Sequence, residues 1–339
     1  MVVLDHVSGT KGFFIQDPDG KAHLVLAIGQ MGVRIFFVIS GFLITTLLRK
    51  ETISLPRFYL RRTLRIFPAF YVFVVAMCLA HIAGFVSFSS GALLHAVSYT
   101  TNYSGGSWVL GHLWSLSVEE QFYLIWPAVL LLLGWRRSVA GVAVFILALP
   151  AARLGFRLFP SACTACQAFV PVWADGIAVG CLLAAARGQL NAQRLYRSFK
   201  GSAWFLAVPV AVVLGTVLSA YPNAWSPLIT RTLTNICIAL IIDRSIDVPR
   251  DLAGRMLNSR PMCFIGVLSY SLYLWQQPFL DHYSSSLVCT FPLNILLALG
   301  AALASYYAVE KPFLAWRKKL ERRWFTAPDV RGHDAVVLV

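Results

Sequence analysis

A polytopic bundle of transmembrane α-helices is the fold class that the sequence predicts, and three observations carry it. The chain has 339 residues, is 58% hydrophobic and only 13% charged, and has a mean hydropathy of +0.68, far too apolar for a soluble globular protein of this length. Apolar runs of about 20 residues, the length that crosses a bilayer as a helix, recur throughout, and the ~10-residue alternation of an outer-membrane barrel is missing. Lastly, 23 of the 29 Lys and Arg fall at alternate ends of these runs, as the positive-inside rule requires.

Taken in order, the spans read as about 30–49, 66–87, 112–134, 139–158, 168–186, 203–220, 228–243, 262–282 and 291–309. Basic clusters at Arg49–Arg65, Arg136 and Arg137, Arg187–Lys200, Arg244–Arg260 and Lys311–Arg331 mark the cytoplasmic ends, whereas 88–111, 221–227 and 283–290 hold no Lys or Arg. The net charge of +14 is thus spent on topology rather than on nucleic acid. The C-terminus is expected inside, and after nine spans the residues before the first one lie outside. Met1–Leu4 reads as the last turn of an apolar helix whose beginning would lie upstream, so nine or ten helices are expected. The polar stretch GTKGFFIQDPDGK that follows reads as an exposed loop.

The run His112–Pro127, HLWSLSVEEQFYLIWP, sets two adjacent carboxylates inside one span. Centring a charge in a bilayer costs roughly 2.5 to 3.5 kcal/mol on insertion scales, so such residues usually face a bundle interior or a wet cavity. At ~100° per residue His112, Ser115 and Glu119 share a face that Phe122 and Trp126 continue, while Glu120 lies about a quarter turn away, beside Ser117, toward another helix. Most of the seven cysteines are scattered in spans as small packing residues. Cys163 and Cys166 form an isolated CxxC on the outer side, which permits a local disulfide and, without a second ligand pair, gives little reason for a metal.

Four ordered blocks, GVRIFFVISGFLIT (32–45), FYLRRTLRIFPAFY (58–71), HLWSLSVEEQFYLIWP (112–127) and LSYSLYLWQQPF (268–279), closed by VEKPF (309–313), strongly resemble the type 3 membrane acyltransferase family, to which bacterial O-antigen, exopolysaccharide, peptidoglycan and Nod-factor O-acetylases belong. ADGIAVGCLLA (174–184) matches a weaker block, with Trp173 where Arg is frequent. The resemblance spans nearly the whole chain and implies a membrane acyltransferase domain over 1–325 with a cytoplasmic tail at 326–339, similar to members lacking a fused periplasmic esterase-like domain. It implies acyl transfer, usually of acetyl from acetyl-CoA as co-substrate with no permanently bound cofactor, onto a carbohydrate or lipid-linked glycan hydroxyl at the bacterial inner membrane. The family's catalytic His corresponds to His6; its Arg partner, about eleven residues earlier, would lie upstream of Met1. Gln276 stands where many members carry His.

The chemistry of the residues fits these roles. A thioester already carries a good leaving group, so the needs are a base for the hydroxyl, placement of two substrates and a stabilised oxyanion. His6 suits the base, oriented by Asp5 or Glu119; the plain alternative is a loop histidine. Arg61, Arg62 and Arg65 are spaced to converge where CoA arrives, because guanidinium forks bind phosphate bidentately, although inner loops also collect Arg for topology and for anionic lipid headgroups. Arg34, near the outer end of its span, either snorkels to the surface or serves the reaction centre. Ser40 and Gly41 either let helices approach closely or leave room for the pantetheine arm. Glu119 is assigned to catalysis, with a hydrogen-bond network through Ser115 or Trp114 as its structural reading. Asn102, His112, Trp114, Ser115, Glu120 and Tyr123 are expected along the acceptor path, against belt roles for the aromatics. His81, His95 and His282 match no motif and are expected to be incidental. A transporter or flippase of lipid-linked sugars is the competing function, weakened by the lack of a repeated block in the other half; a non-catalytic scaffold is the third.

Overall fold

The computed structural model describes residues 1–13, 22–49, 54–103, 107–159, 174–220, 227–247 and 251–325. Cys163, Cys166, Trp173 and the tail 326–339 lie outside them. Among the described residues the chain is helical with no strand. The helices are α1 (Val2–Ser8), α2 (Ala22–Arg49), α3 (Leu55–Ile82), α4 (Ser90–Val97), α5 (Trp108–Gly111), α6 (Leu113–Leu158), α7 (Ala174–Ala192), α8 (Arg194–Gly201), α9 (Ala207–Ala220), α10 (Pro227–Asp247), α11 (Leu252–Leu257), α12 (Arg260–Trp275), α13 (Leu293–Ser305) and α14 (Lys311–Trp324).

Several boundaries differ from the sequence reading for visible reasons. α3 starts at Leu55, well before the apolar run, because Ser54 caps it by accepting from the Arg57 amide at 3.4 Å and a proline occupies its first turn. Its arginines are therefore helical and held in register with the span. The spans expected at 112–134 and 139–158 form one element, α6, broken at Gly134, whose φ of 73° only glycine adopts freely. Ser138 Oγ donates to the Gly134 carbonyl at 2.8 Å and so satisfies a group freed by the break. α12 stops at Trp275 rather than near 282, and the last span runs through a π turn at Tyr306–Glu310 into α14. Among the described residues four segments, Ile28–Arg49, Leu55–Ile82, Trp108–Leu158 and Leu293–Trp324, are long and apolar enough to cross a membrane, and Arg194–Gly201 with Ala203–Ser219 is a fifth if the 70° bend lies within one span.

Burial follows lipid rather than water. Leu132 and Leu147 are 82% and 78% exposed on the bundle surface, whereas Glu119 and Asp175 are 5% and 1% exposed within it. In lipid the outward leucines meet a matching solvent, and helix association depends on close packing and interior polar contacts. α2 and α7 illustrate the packing part: a Cβ on Gly41 would strike the Ile177 carbonyl, and one on Gly180 would strike the Val38 carbonyl and the Phe42 amide. Gly41 thus serves close helix approach. Gly180→Val forces these backbones apart, and overpacking of this kind costs ~1–3 kcal/mol or more. It should lower the melting temperature in detergent, while Gly141→Val, at a position with no atom within reach of the new Cβ, should not. Equal melting temperatures for the two variants would disprove the contact.

At the other end of α7, polar pairing replaces close packing. Asp243 on α10 accepts from Arg187 Nε at 2.7 Å, Lys200 Nζ at 2.7 Å and Tyr196 OH at 2.9 Å, and Asp247 also accepts from both Arg187 and Lys200. Part of the basic excess assigned to topology therefore ties α7, α8 and α10 together.

Candidate active site

At the end of the bundle that carries α1, an open cavity of about 690 Å³ is bounded by α1, α2, the segment around Asn102, α5, the start of α6 and the end of α12; His6, Asn102, Trp108, His112, Trp114 and Tyr273 line it. A short helix such as α1 leaves several carbonyls without intrahelical partners, and three of them find other donors here. Ser8 Oγ donates to the Asp5 carbonyl at 2.6 Å, Thr10 N and Oγ1 donate to the Val7 carbonyl at 2.9 and 2.7 Å, and His282 Nε2 lies 2.5 Å from the His6 carbonyl. Asn294 Nδ2 donates to Thr10 Oγ1 at 2.9 Å, fixing the turn after α1 against the start of α13.

Fixed in this way, the His6 imidazole lies 5.4 Å from the Trp108 ring, and its Nδ1 is buried without a hydrogen-bond partner. Neither acid expected to orient the ring does so: the Asp5 carboxylate lies against Gly29, and Glu119 is engaged elsewhere. Burial, and next the neighbouring His282, pull the imidazole down to about 4, so the ring is neutral near pH 7 and able to accept a proton. Trp108 and Gln277 exchange hydrogen bonds, Trp108 Nε1 donating to the Gln277 carbonyl and Gln277 Nε2 to the Trp108 carbonyl, both at 3.0 Å. Gln276 is fully buried beside them, its amide atoms unpartnered.

The predicted face of α6 is present and leads inward from this cavity. His112 packs between Phe73 and Tyr273 at ring distances of 5.6 and 5.4 Å. Tyr273 OH donates to the His112 carbonyl at 2.8 Å and lies 2.6 Å from Ser115 Oγ. One turn further, about 6 Å along the axis, Glu119 Oε1 accepts from Ser40 Oγ at 2.5 Å and from Tyr123 OH, and those two hydroxyls are 2.6 Å apart. The Arg62 guanidinium stands 4.0 Å over the Tyr123 ring and feels the charges of Glu119 and Glu120. Ser40 thus belongs to the polar network, unlike its neighbour Gly41. Trp114 lines the cavity, 6.0 Å from Phe37, and Tyr123 is buried, so neither is a belt residue at the lipid interface. Asn102 Oδ1 accepts from Gln121 Nε2 at 3.0 Å and leaves its own Nδ2 unpartnered at the cavity. Glu120 is half-buried, with Oε1 unpartnered.

Two arginines lie apart from this path. Arg61 makes a bidentate pair with Glu321 of α14, at 2.9 and 2.7 Å, which Arg57 and Arg317 also approach. Arg62 and Arg65 remain directed to the interior, Arg65 in the field of Glu310, which accepts from Ser271. Arg34 does not snorkel. It is buried, donates to the Arg231 carbonyl at 3.3 Å, and shares the interior with Arg153 and Asp175, paired at 2.5 Å. An arginine can be pulled inward in this way where a neighbouring helix supplies a carboxylate, as α7 does through Asp175.

Sequence reading missed Tyr273, Gln277, His282 and Glu310. Tyr273 and Gln277 lie within the 268–279 block and Glu310 within VEKPF, so each carried a signal; His282 reaches the site by tertiary packing alone. Among the described residues no group of His, Cys, Asp and Glu is arranged to hold a metal.

The profile of the acyltransferase domain matches residues 1–310. Among characterised proteins the chain is 27% identical over 313 residues to the peptidoglycan O-acetyltransferase OatA of Listeria monocytogenes, covering 84% of this chain and 50% of the relative. To the O-acetyltransferase OatA of Staphylococcus aureus it is 27% identical over 347 residues, 91% of this chain and 56% of the relative. To the putative peptidoglycan O-acetyltransferase YrhL of Bacillus subtilis it is 26% identical, covering 84% and 50%. The chain therefore spans about half the length of the curated relatives it matches. No solved structure is significantly similar to it.

Proposed function

The chain belongs to the acyltransferase domain family, and from that premise we propose that it is an inner-membrane O-acetyltransferase moving acetyl from acetyl-CoA to a hydroxyl of a cell-envelope glycan. The activities named for its relatives make peptidoglycan or its lipid-linked precursor the leading acceptor class. Acetyl-CoA acts as co-substrate and approaches from the cytoplasmic end, where Arg62 and Arg65 meet its phosphates; the glycan enters the cavity lined by His6 from outside. Residues 1–325 form the transferase domain, with the C-terminus in the cytoplasm.

The observation that carries this reading is the His6 ring, which lines the cavity with a buried, unpartnered Nδ1 at one end of the face that leads to Glu119 and Arg62. The His6 imidazole takes the proton of the acceptor hydroxyl as the oxygen bonds to the acetyl carbon. The carbon–sulfur bond breaks, and the imidazolium returns its proton to the departing CoA thiolate. Tyr123 and Ser40, held on Glu119, order the interior through which donor and acceptor meet.

Membranes containing the protein should transfer label from acetyl-CoA to glycan material, and no transfer at all would defeat the proposal. The same assay separates the arginines. Arg62→Lys keeps the charge but loses the planar fork, so the KM for acetyl-CoA should rise about tenfold, the effect of one charge-assisted hydrogen bond. Arg61→Lys can still pair with Glu321 and should leave donor KM close to wild type. Equal donor kinetics in both variants would reduce these arginines to topology.

A further inference from the structure

His282 lies outside every sequence block that resembles the acyltransferase family, yet it reaches across 276 positions of sequence to the main chain of His6. We propose that His282 is a positioning residue for the His6 imidazole, a role that rests on the reading of His6 as the base. The main-chain chemistry supports it. In a continuing helix the His6 carbonyl would accept from the Thr10 amide, but that amide bonds to the Val7 carbonyl instead, so the His6 carbonyl is left over at the end of α1. His282 Nε2, at 2.5 Å, donates to it. The bond fixes the His282 tautomer with hydrogen on Nε2.

The surroundings make this contact specific. The His282 ring lies 4.6 Å from the Trp108 ring, which is itself 5.4 Å from the ring of His6, so the three rings form one group, of which His6 and Trp108 line the cavity. Gly9 gives His282 its approach: a Cβ there would lie 2.5 to 2.7 Å from three atoms of the His282 ring. Trp108 is in turn held by its reciprocal bonds to Gln277, and the Phe291 amide donates to the Lys11 carbonyl at 2.9 Å. The segment after α12 thus holds the end of α1 at two points, His282 at His6 itself and Phe291 at Lys11 just beyond the helix. No other side chain hydrogen-bonds His6 among the described residues, and its buried Nδ1 has no partner. A base held only through its backbone depends on that backbone for aim, and misplacement by about 1 Å costs on the order of a hundredfold in rate.

The test measures acetyl transfer by full-length protein in membranes, with kcat and donor KM determined separately. His282→Ala should lower kcat about a hundredfold with donor KM within about twofold of wild type. His282→Gln, whose amide can donate to the same carbonyl, should restore most of the loss. Gly9→Ala should reproduce the loss by displacing the ring. Wild-type kcat in His282→Ala, with transfer lost in His6→Ala, would overturn the positioning role alone. Transfer retained in His6→Ala would overturn the base assignment and the positioning role with it. Equal loss in His282→Ala and His282→Gln, with a shared drop in melting temperature, would make His282 merely structural and overturn the proposal.

Discussion

His6→Ala should abolish measurable acetyl transfer while the protein stays in the membrane at normal abundance. The expected loss is about 10²–10⁴-fold, the usual contribution of a general base to proton transfer. Stability should change little, because the ring is half-buried at a cavity wall, its Nδ1 bonds to nothing, and the contact that holds α1 runs through the His6 carbonyl, which alanine keeps. The same variant tests the competing transporter reading, in which an outer-cavity histidine would alter sugar movement and no acetyl transfer would exist to lose. Acetyl transfer persisting in His6→Ala would remove the imidazole from the proton step and leave Glu119 as the remaining candidate base.

The helical bundle was legible because it rests on local properties, apolar length and the placement of Lys and Arg. The face of α6 was legible for the same reason: His112, Ser115 and Glu119 follow helical period, and all three are buried together. Period says which residues share a face but not what that face meets. Arg34 sits near a span end, which favours snorkelling until α7 is seen to bring Asp175 into the same interior. Arg61 and Arg62 are adjacent in sequence and look interchangeable, yet a helix turns them ~100° apart, one to Glu321 on α14 and the other to Tyr123 on α6. His282 carried no signal at all, since its contact with His6 depends on how the segment after α12 closes on α1. Ser40 and Gly41 are likewise neighbours with opposite facings, one into the Glu119 network and one onto the Ile177 carbonyl.

Glu119→Leu should be the most disruptive single change in the interior. One carboxylate oxygen gathers Ser40 Oγ and Tyr123 OH, and the charge faces Arg62, which lies over the Tyr123 ring. Leucine removes the acceptor and the nearby charge together, leaving two buried hydroxyls without the carboxylate they bond. Leaving a buried hydroxyl without its acceptor costs about 1–3 kcal/mol, a sizeable share of the roughly 5–15 kcal/mol that holds a typical domain folded. Protein abundance in the membrane and melting temperature in detergent should both fall. Glu119→Gln separates that structural effect from the chemical one, because its amide oxygen can still accept from Ser40 and Tyr123 while the charge opposite Arg62 is gone. The Gln variant should therefore accumulate and melt close to wild type yet transfer acetyl poorly, with the loss seen at saturating donor. If Glu119→Leu melts and transfers like the wild type, the network around Oε1 carries neither stability nor catalysis, and the scaffold reading of the interior acids stands. If the Leu variant is unstable and the Gln variant fully active, Glu119 holds α2 to α6 and takes no part in the reaction. Only the split outcome, a stable Gln variant with lost turnover, ties the charge at this depth to the chemistry.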